Sequence, residues 1–110
     1  LFAAKTGVLN VSCSISLDGR PLSNAEVEFI PESFLGDAVH NAACTTDSEG
    51  QGSPSIAAEH LPDEFRNLRM MQPGLYRVEI EHPSLAGGHR PLGFEVDPTR
   101  RDGTTARFDL

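Results

Sequence analysis

Hydrophobic and polar residues alternate strictly in several short segments, and this alternation is the pattern of half-buried β-strands. The longest run covers residues 9–17, where five apolar side chains are separated by Asn10 and three serines. The predicted inward-facing rows are Leu9, Val11, Cys13, Ile15 and Leu17; Ala25, Val27 and Phe29; Tyr76, Val78 and Ile80; Leu92, Phe94 and Val96; and Ala106, Phe108 and Leu110. A further short strand is predicted over 42–46, with Cys44 facing inward. About seven such strands predict an all-β, antiparallel sandwich.

Turn-forming residues separate these rows. Asp18-Gly19 predicts a hairpin turn, because glycine accepts a positive φ. Pro31 cannot donate a ladder hydrogen bond, so the second strand should end there. Asp47 opens another tight turn, which Gly50 closes. This turn is too short for a calcium loop of the EF-hand type, so we expect the Asp47 carboxylate to bond its own turn backbone.

One stretch interrupts the strand pattern and favours a helical insertion near 62–71. Pro62 suits the first position of a helix. Two acidic residues follow it, where carboxylates favour a helix N-terminus. Phe65, Leu68 and Met71 then recur at three-residue spacing. This spacing predicts one or two helical turns packed against the edge of the sandwich, and it indicates packing rather than a ligand site.

Length and charge limit the classes of function. A chain of 110 residues suits one domain, so we treat 1–110 as a single β-sandwich domain. The net charge is −7, the opposite sign from that expected of a protein that binds nucleic acid through its phosphates. The sequence has no apolar run of about 18 residues, so no membrane insertion by this segment is expected. The opening Leu1-Phe2 leads us to expect a fragment or a mature form of a longer protein.

Two cysteines, Cys13 and Cys44, allow two interpretations. Neither belongs to a CxxC pair or lies close in sequence to a histidine, so zinc and thioredoxin-like sites are not indicated. A disulfide between them would close a loop of about 30 residues and add roughly 3 kcal/mol of stability in the chain-entropy model. Two buried thiols that pack as small hydrophobic side chains are the alternative. The sequence leaves both open.

Taken in order, the strand and turn motifs resemble those of the carboxypeptidase regulatory-like domain, a transthyretin-like β-sandwich of bacterial secreted or surface proteins. The first matching motif, Gly-x-Pro-Leu-x-x-Ala-x-Val-x-Phe-x-Pro with the strand before it, lies within 7–31. The others are Thr-Asp-x-x-Gly at 46–50 and Pro-Gly-x-Tyr-x-Val-x-Ile at 73–80. The later strand at 91–96 is also similar to bacterial versions. The resemblance covers most of the chain and leaves 54–71 unassigned.

The resemblance implies a Greek-key, transthyretin-like fold and a non-catalytic accessory role. Domains of this family stand beside a peptidase, a receptor or a surface protein and carry no family active site, so no catalytic residue can be transferred. We therefore expect a stalk, spacer or docking domain of an extracytoplasmic bacterial protein that is periplasmic, lipid-anchored or secreted. Its partner would be a protein or a cell-surface component, and no cofactor is expected.

Two enzymes of related fold do not match well. The 5-hydroxyisourate hydrolase of the transthyretin fold ends in Tyr-Arg-Gly-Ser, whereas this chain ends in Phe-Asp-Leu. Intradiol ring-cleaving dioxygenases bind iron with two Tyr and two His, whereas Tyr76 is the only tyrosine here. We predict that Tyr76 lies in the core with its hydroxyl reaching an edge. The alternative function is a small hydrolase or metal-dependent enzyme that uses His82 or His89, and it predicts that one of them meets Arg90 or Asp97 in a pocket.

Carboxylates supply the best candidate for a binding surface. Glu26 and Glu28 share the outward row of one predicted strand, and Glu79 and Glu81 share that of another. If these strands are neighbours, four carboxylates crowd one face of the sheet, and like charges directly opposite each other destabilise a sheet. Such a face favours a cation or a basic partner. Relief by Arg77 and staggered pairing would instead leave a merely solvated face.

An exposed aromatic residue is the second candidate. Residues 32–41 are predicted to form a loop, and Phe34 within it is the best apolar residue for a partner contact. The chain has no Trp, so the aromatic platform typical of carbohydrate-binding sandwiches is not indicated.

Overall fold

Ten strand segments and two short helical turns are the regular elements that can be bounded within the described residues. The computed structural model of the protein describes residues 2–3, 8–33, 39–85, 92–97, 99 and 103–110. The strands are β1 (Phe2–Ala3), β2 (Val8–Leu9), β3 (Ser12–Leu17), β4 (Arg20–Pro21), β5 (Glu26–Pro31), β6 (Ala42–Thr45), β7 (Gln51–Gly52), β8 (Gly74–Glu81), β9 (Leu92–Val96) and β10 (Thr105–Asp109). The fold is therefore all-β, as the alternation predicts.

Two sheets enclose the core. The first has the order β6-β5-β8-β9, and all of its pairs are antiparallel. The second has the order β10-β3-β4, and β7 also pairs with β3. A two-residue ladder joins β1 to β2. Apolar side chains from both sheets form one contiguous buried cluster.

One pair of strands departs from the antiparallel prediction. Strand β10 runs parallel to β3, with Thr105 opposite Ser12 and Asp109 opposite Ser16. The prediction was wrong here because β10 does not follow β3 through a hairpin. The chain reaches β10 only after building the whole first sheet, and parallel neighbours require such a long crossover.

The predicted inward rows are confirmed by burial. Fully or almost fully buried members include Leu9, Val11, Cys13, Ile15, Ala25, Val27, Phe29, Cys44, Tyr76, Val78, Ile80, Val96, Ala106 and Phe108. Leu17, Leu92, Phe94 and Leu110 pack against this cluster while remaining half-buried. The Phe29 ring lies at the centre, with its centroid 6.1 Å from that of Tyr76 at an edge-to-face angle of 80°, a favourable aromatic geometry. The Tyr76 hydroxyl donates to the Gln72 carbonyl at 2.6 Å, as predicted.

The predicted turns also form. Asp18 and Gly19 have φ values of 53° and 82°, so both central residues of the β3–β4 hairpin are left-handed, as in a type I′ turn. Pro31 is the last residue of β5. The Asp47 carboxylate accepts hydrogen bonds from the backbone N–H groups of Glu49 and Gln51 at 2.9 and 3.0 Å. It therefore braces its own turn.

The helical insertion is smaller than predicted. Within 54–71, helical geometry is limited to 3-10 turns at Ala58–His60 and Asp63–Phe65. The apolar stripe does not share one face, because Leu68 is 52% exposed whereas Met71 is fully buried. Met71 exchanges two backbone hydrogen bonds with Leu9, so it is in a strand-like bridge rather than a helix. No helical segment in the described part of the chain has the length and apolar character needed to cross a membrane.

Hydrogen bonds of the buried Thr46 join the end of β6 to the turn before β5. Thr46 is 2% exposed. Its hydroxyl donates to the Leu22 carbonyl at 2.6 Å and accepts from the Ala25 N–H at 2.9 Å. Its own N–H donates to the Ala25 carbonyl at 2.9 Å. These bonds hold the turn before β5 against the end of β6, so the start of β5 is fixed in place.

Candidate functional site

Glutamates form two directly opposed pairs on the outer face of the first sheet. Strands β5 and β8 are hydrogen-bonded neighbours, and their register sets Glu26 opposite Glu81 and Glu28 opposite Glu79. The intervening residues, such as Val27, point into the core, so the glutamates point away from it. The two glutamate-bearing strands are therefore neighbours, and their pairing is not staggered, so the like charges lie directly opposite each other.

Small side chains on β6 open a groove beside these glutamates. Ala43 pairs with Glu28, and Thr45 pairs with Glu26, so neither neighbour fills the space next to the carboxylates. The resulting glutamate groove has a volume of about 750 Å³. Its lining comprises the four paired glutamates, with Asp47 and Arg69 among the further residues. Five carboxylates and one guanidinium give the lining a formal charge of −4.

Arg69 binds the edge of β6 at this groove. Its Nε donates to the Ser53 carbonyl, and its second guanidinium nitrogen donates to the Ala43 carbonyl at 2.7 Å. These bonds hold a positive charge at the strand edge. Sequence reasoning missed Arg69, because its partners lie 16 and 26 residues away.

Two contacts partly relieve the crowded charges. The Arg77 Nε lies 3.4 Å from a Glu79 carboxylate oxygen, and the Asn41 side-chain amide donates to Glu28 at 3.0 Å. An exposed ion pair of this kind contributes at most about 1 kcal/mol. The carboxylates of Glu26 and Glu81 make no ion pair with another described residue. One of the two opposed pairs therefore has no ion-pair partner in that part of the chain.

The glutamate face does not have the geometry of a metal site. Across the described residues, no group of three or more His, Cys, Asp or Glu side chains converges on a position where it would hold a metal ion. The four carboxylates are spread over two cross-strand rows rather than directed at one point. In the described part of the chain, the glutamate face therefore lacks a converging set of metal ligands.

His82 is held by two backbone contacts. Its Nδ1 accepts from the Ser84 N–H at 3.0 Å, so Nε2 carries the proton that is donated to the Ser23 carbonyl at 3.0 Å. The predicted meeting of His82 with Asp97 is wrong. Asp97 follows Val96, which pairs with the first residue of the eight-residue β8, whereas His82 follows the last. Nine residues separate these two positions along the strand direction, and at the usual rise of about 3.3 Å per residue they lie about 30 Å apart.

Three other predicted site residues cannot be placed. Phe34, His89 and Arg90 lie outside the described residues. The partner contact predicted for Phe34 stays a prediction, as does each predicted meeting in a pocket that involves His89 or Arg90.

Two histidines, His40 and His60, lie in contact, although their spacing in the sequence did not indicate it. The rings of His40 and His60 stack with centroids 4.0 Å apart and planes 6° from parallel. His60 Nε2 also lies 3.9 Å from a Glu59 carboxylate oxygen. The nitrogen lone pairs of two parallel rings lie in separate planes, so this stack does not direct them at one metal ion.

The two cysteines meet between the sheets. Cys13 belongs to β3 and Cys44 to β6; both are buried, and both are free thiols. The hydrogen bond with Cys44, together with burial, raises the pKa of Cys13 well above its usual range. The hydrogen bond from Cys13 and the nearby Arg69 charge lower the pKa of Cys44, although burial opposes this. The disulfide between Cys13 and Cys44 stays a prediction. The structure places the two thiols in hydrogen-bond contact.

Comparisons with known proteins add little to this geometry. No family model and no curated protein matches the chain. Among solved structures, the chlorocatechol 1,2-dioxygenase from Pseudomonas putida is similar, with 16% sequence identity and a TM-score of 0.45. The match covers 99% of this chain and 60% of that one, so the chain spans about three-fifths of the length of that enzyme. Similarity at this level carries no argument about function.

Proposed function

We propose that this chain is a non-catalytic docking module that binds a basic segment of another protein in the glutamate groove. The observation that carries the proposal is the register of β5 and β8, which sets Glu26 opposite Glu81 and Glu28 opposite Glu79. Like charges directly opposite each other destabilise a sheet by roughly 0.2–1 kcal/mol per pair. A cationic partner would convert this repulsion into attraction.

The dimensions of the groove suit one or two long basic side chains. Its volume of about 750 Å³ lies within the usual range for binding clefts. An arginine is the favoured occupant, because its planar guanidinium matches a carboxylate with two parallel hydrogen bonds. Ala43 and Thr45 leave room for the aliphatic stem beside the glutamates.

The finer fold assignment and the setting are also parts of the proposal. The motif resemblance supports a Greek-key, transthyretin-like sandwich in an extracytoplasmic bacterial protein. The geometry of His82 supports a role without catalysis, because both ring nitrogens are used on backbone groups. The Asp97 carboxylate is likewise used on the backbone N–H and hydroxyl of Thr99.

Binding of a labelled arginine-rich peptide to the chain tests the proposal, with an acidic peptide of equal length as the control ligand. The double variant Glu28→Gln/Glu79→Gln should weaken binding roughly two- to thirtyfold, because each exposed charge pair contributes about 0.2–1 kcal/mol. The matched control, Glu59→Gln/Glu64→Gln, removes the same charge from exposed positions off the groove. It should change affinity much less.

Two results would contradict the docking role. Equal losses in the two double variants would show that only net charge attracts the peptide. Binding that is insensitive to salt would also count against it, because contacts between exposed charges weaken as ionic strength rises.

A further inference from the structure

The two cysteines form a preassembled pair at the wall of the glutamate groove. Cys13 pairs in register with Gly52 of β7. A β-carbon on Gly52 would lie only 2.9 Å from the Cys44 sulfur. Because glycine has no side chain, the Cys44 sulfur fits in this space. The side chains of Cys13 and Cys44, which belong to different sheets, are therefore neighbours beside Gly52.

The pair is asymmetric in access and in charge. Cys44 lines the glutamate groove and is 7% exposed, whereas Cys13 is 2% exposed and lines a smaller hollow of about 400 Å³. Arg69, which is bonded to the carbonyls of Ser53 and Ala43, places its charge near Cys44. A nearby cation favours the thiolate, which is the reactive form of cysteine.

We propose that Cys44 and Cys13 form a redox-active dithiol that exchanges with low-molecular-weight disulfides entering the groove, with Cys44 attacking first and Cys13 resolving. This inference does not rest on the docking role. It assigns a reversible covalent link between the two sheets, which forms and breaks through the Cys44 sulfur at the groove wall.

The exchange proceeds in two balanced steps. The Cys44 thiolate attacks one sulfur of R–S–S–R, the S–S bond breaks, and one RS⁻ leaves. Cys13 then loses its proton and attacks the Cys44 sulfur of the mixed disulfide, forming the Cys13–Cys44 bond and releasing the second RS⁻. Two protein thiols are oxidised, the small disulfide is reduced to two thiols, and these take up the two protons.

Mass spectrometry after reaction of the native chain with oxidised glutathione tests the order of attack. Samples are quenched in acid at intervals and then alkylated under denaturing conditions. The wild-type chain should lose both free thiols without retaining glutathione. Cys13→Ala should retain one glutathione on Cys44, because no resolving thiol is present. Cys44→Ala should react at least about tenfold more slowly, because Cys13 is less exposed and does not line the glutamate groove.

Peptide mapping of the wild-type chain at early times gives the same information without a core substitution. The transient glutathione adduct should be found on Cys44. An adduct on Cys13, equal reactivity of the two single variants, or thiols that react only after urea unfolding would each overturn the proposal. Arg69→Gln should slow the first step, whereas Arg66→Gln, which alters an exposed arginine, should not.

Discussion

Removing one hydroxyl from the core should destabilise this fold more than removing one methyl group. In Thr46→Val the shape of the side chain is kept, but the Leu22 carbonyl and the Ala25 N–H lose their partner. Each buried group left unsatisfied costs about 1–3 kcal/mol, and the added methyl returns roughly 0.8 kcal/mol. At the middle of these ranges, we expect Thr46→Val to lower the free energy of unfolding by about 3 kcal/mol. Thr46→Ser keeps both hydrogen bonds and should cost only about 1 kcal/mol.

Equilibrium urea unfolding measures this difference. With a slope of roughly 1–3 kcal/mol per molar urea, the valine variant should shift the midpoint by about 1–3 M and the serine variant by much less. The slope should stay constant, since the surface exposed on unfolding does not change. A valine variant that is as stable as the serine variant would refute the argument that satisfied polar groups, rather than packing, make Thr46 important.

Three further outcomes can be measured in the same way. Tyr76→Phe should cost about 1 kcal/mol of stability for the lost hydroxyl hydrogen bond. Because burial raises the pKa of Tyr76, the phenol ionises first in the unfolded chain, and wild-type stability should decline as pH rises above about 10. The decline should be smaller in the Tyr76→Phe variant. Gly50→Ala should be several kcal/mol worse than Gly19→Ala, because both glycines have positive φ but only at Gly50 would the new carbon strike strand backbone. Glu28→Gln should raise stability by roughly 0.2–1 kcal/mol in low salt by removing repulsion from Glu79, and this gain should vanish in high salt.

Much of the fold could be predicted because alternation along a strand is a direct consequence of burial on one side. The rows containing Val27 and Val78 were identified correctly for this reason. Turn residues such as Gly19 and Pro31 were equally informative, because their backbone restrictions are local.

Features that depend on distant pairs could not be predicted in the same way. The outward glutamates were identified, but whether Glu28 faces Glu79 is decided by register, which no single strand encodes. The groove itself depends on small neighbours such as Ala43, whose type carries no signal until its partner strand is known. The hydrogen-bond partners of Thr46 lie 24 and 21 residues away, and the stacking of His40 on another segment has no sequence signature.

The parallel pairing of β3 with β10 has a consequence for how the chain folds. The two strands are joined across 93 residues, as the bond from Ser16 to Asp109 shows, so this sheet has a high contact order and should close late. At ordinary rates of synthesis, β3 waits roughly 5–20 s on the ribosome for its partner. Throughout that interval one edge of β3 is bare and open to pairing with other chains. We therefore expect a nascent chain to be prone to pairing with other chains until β10 has emerged.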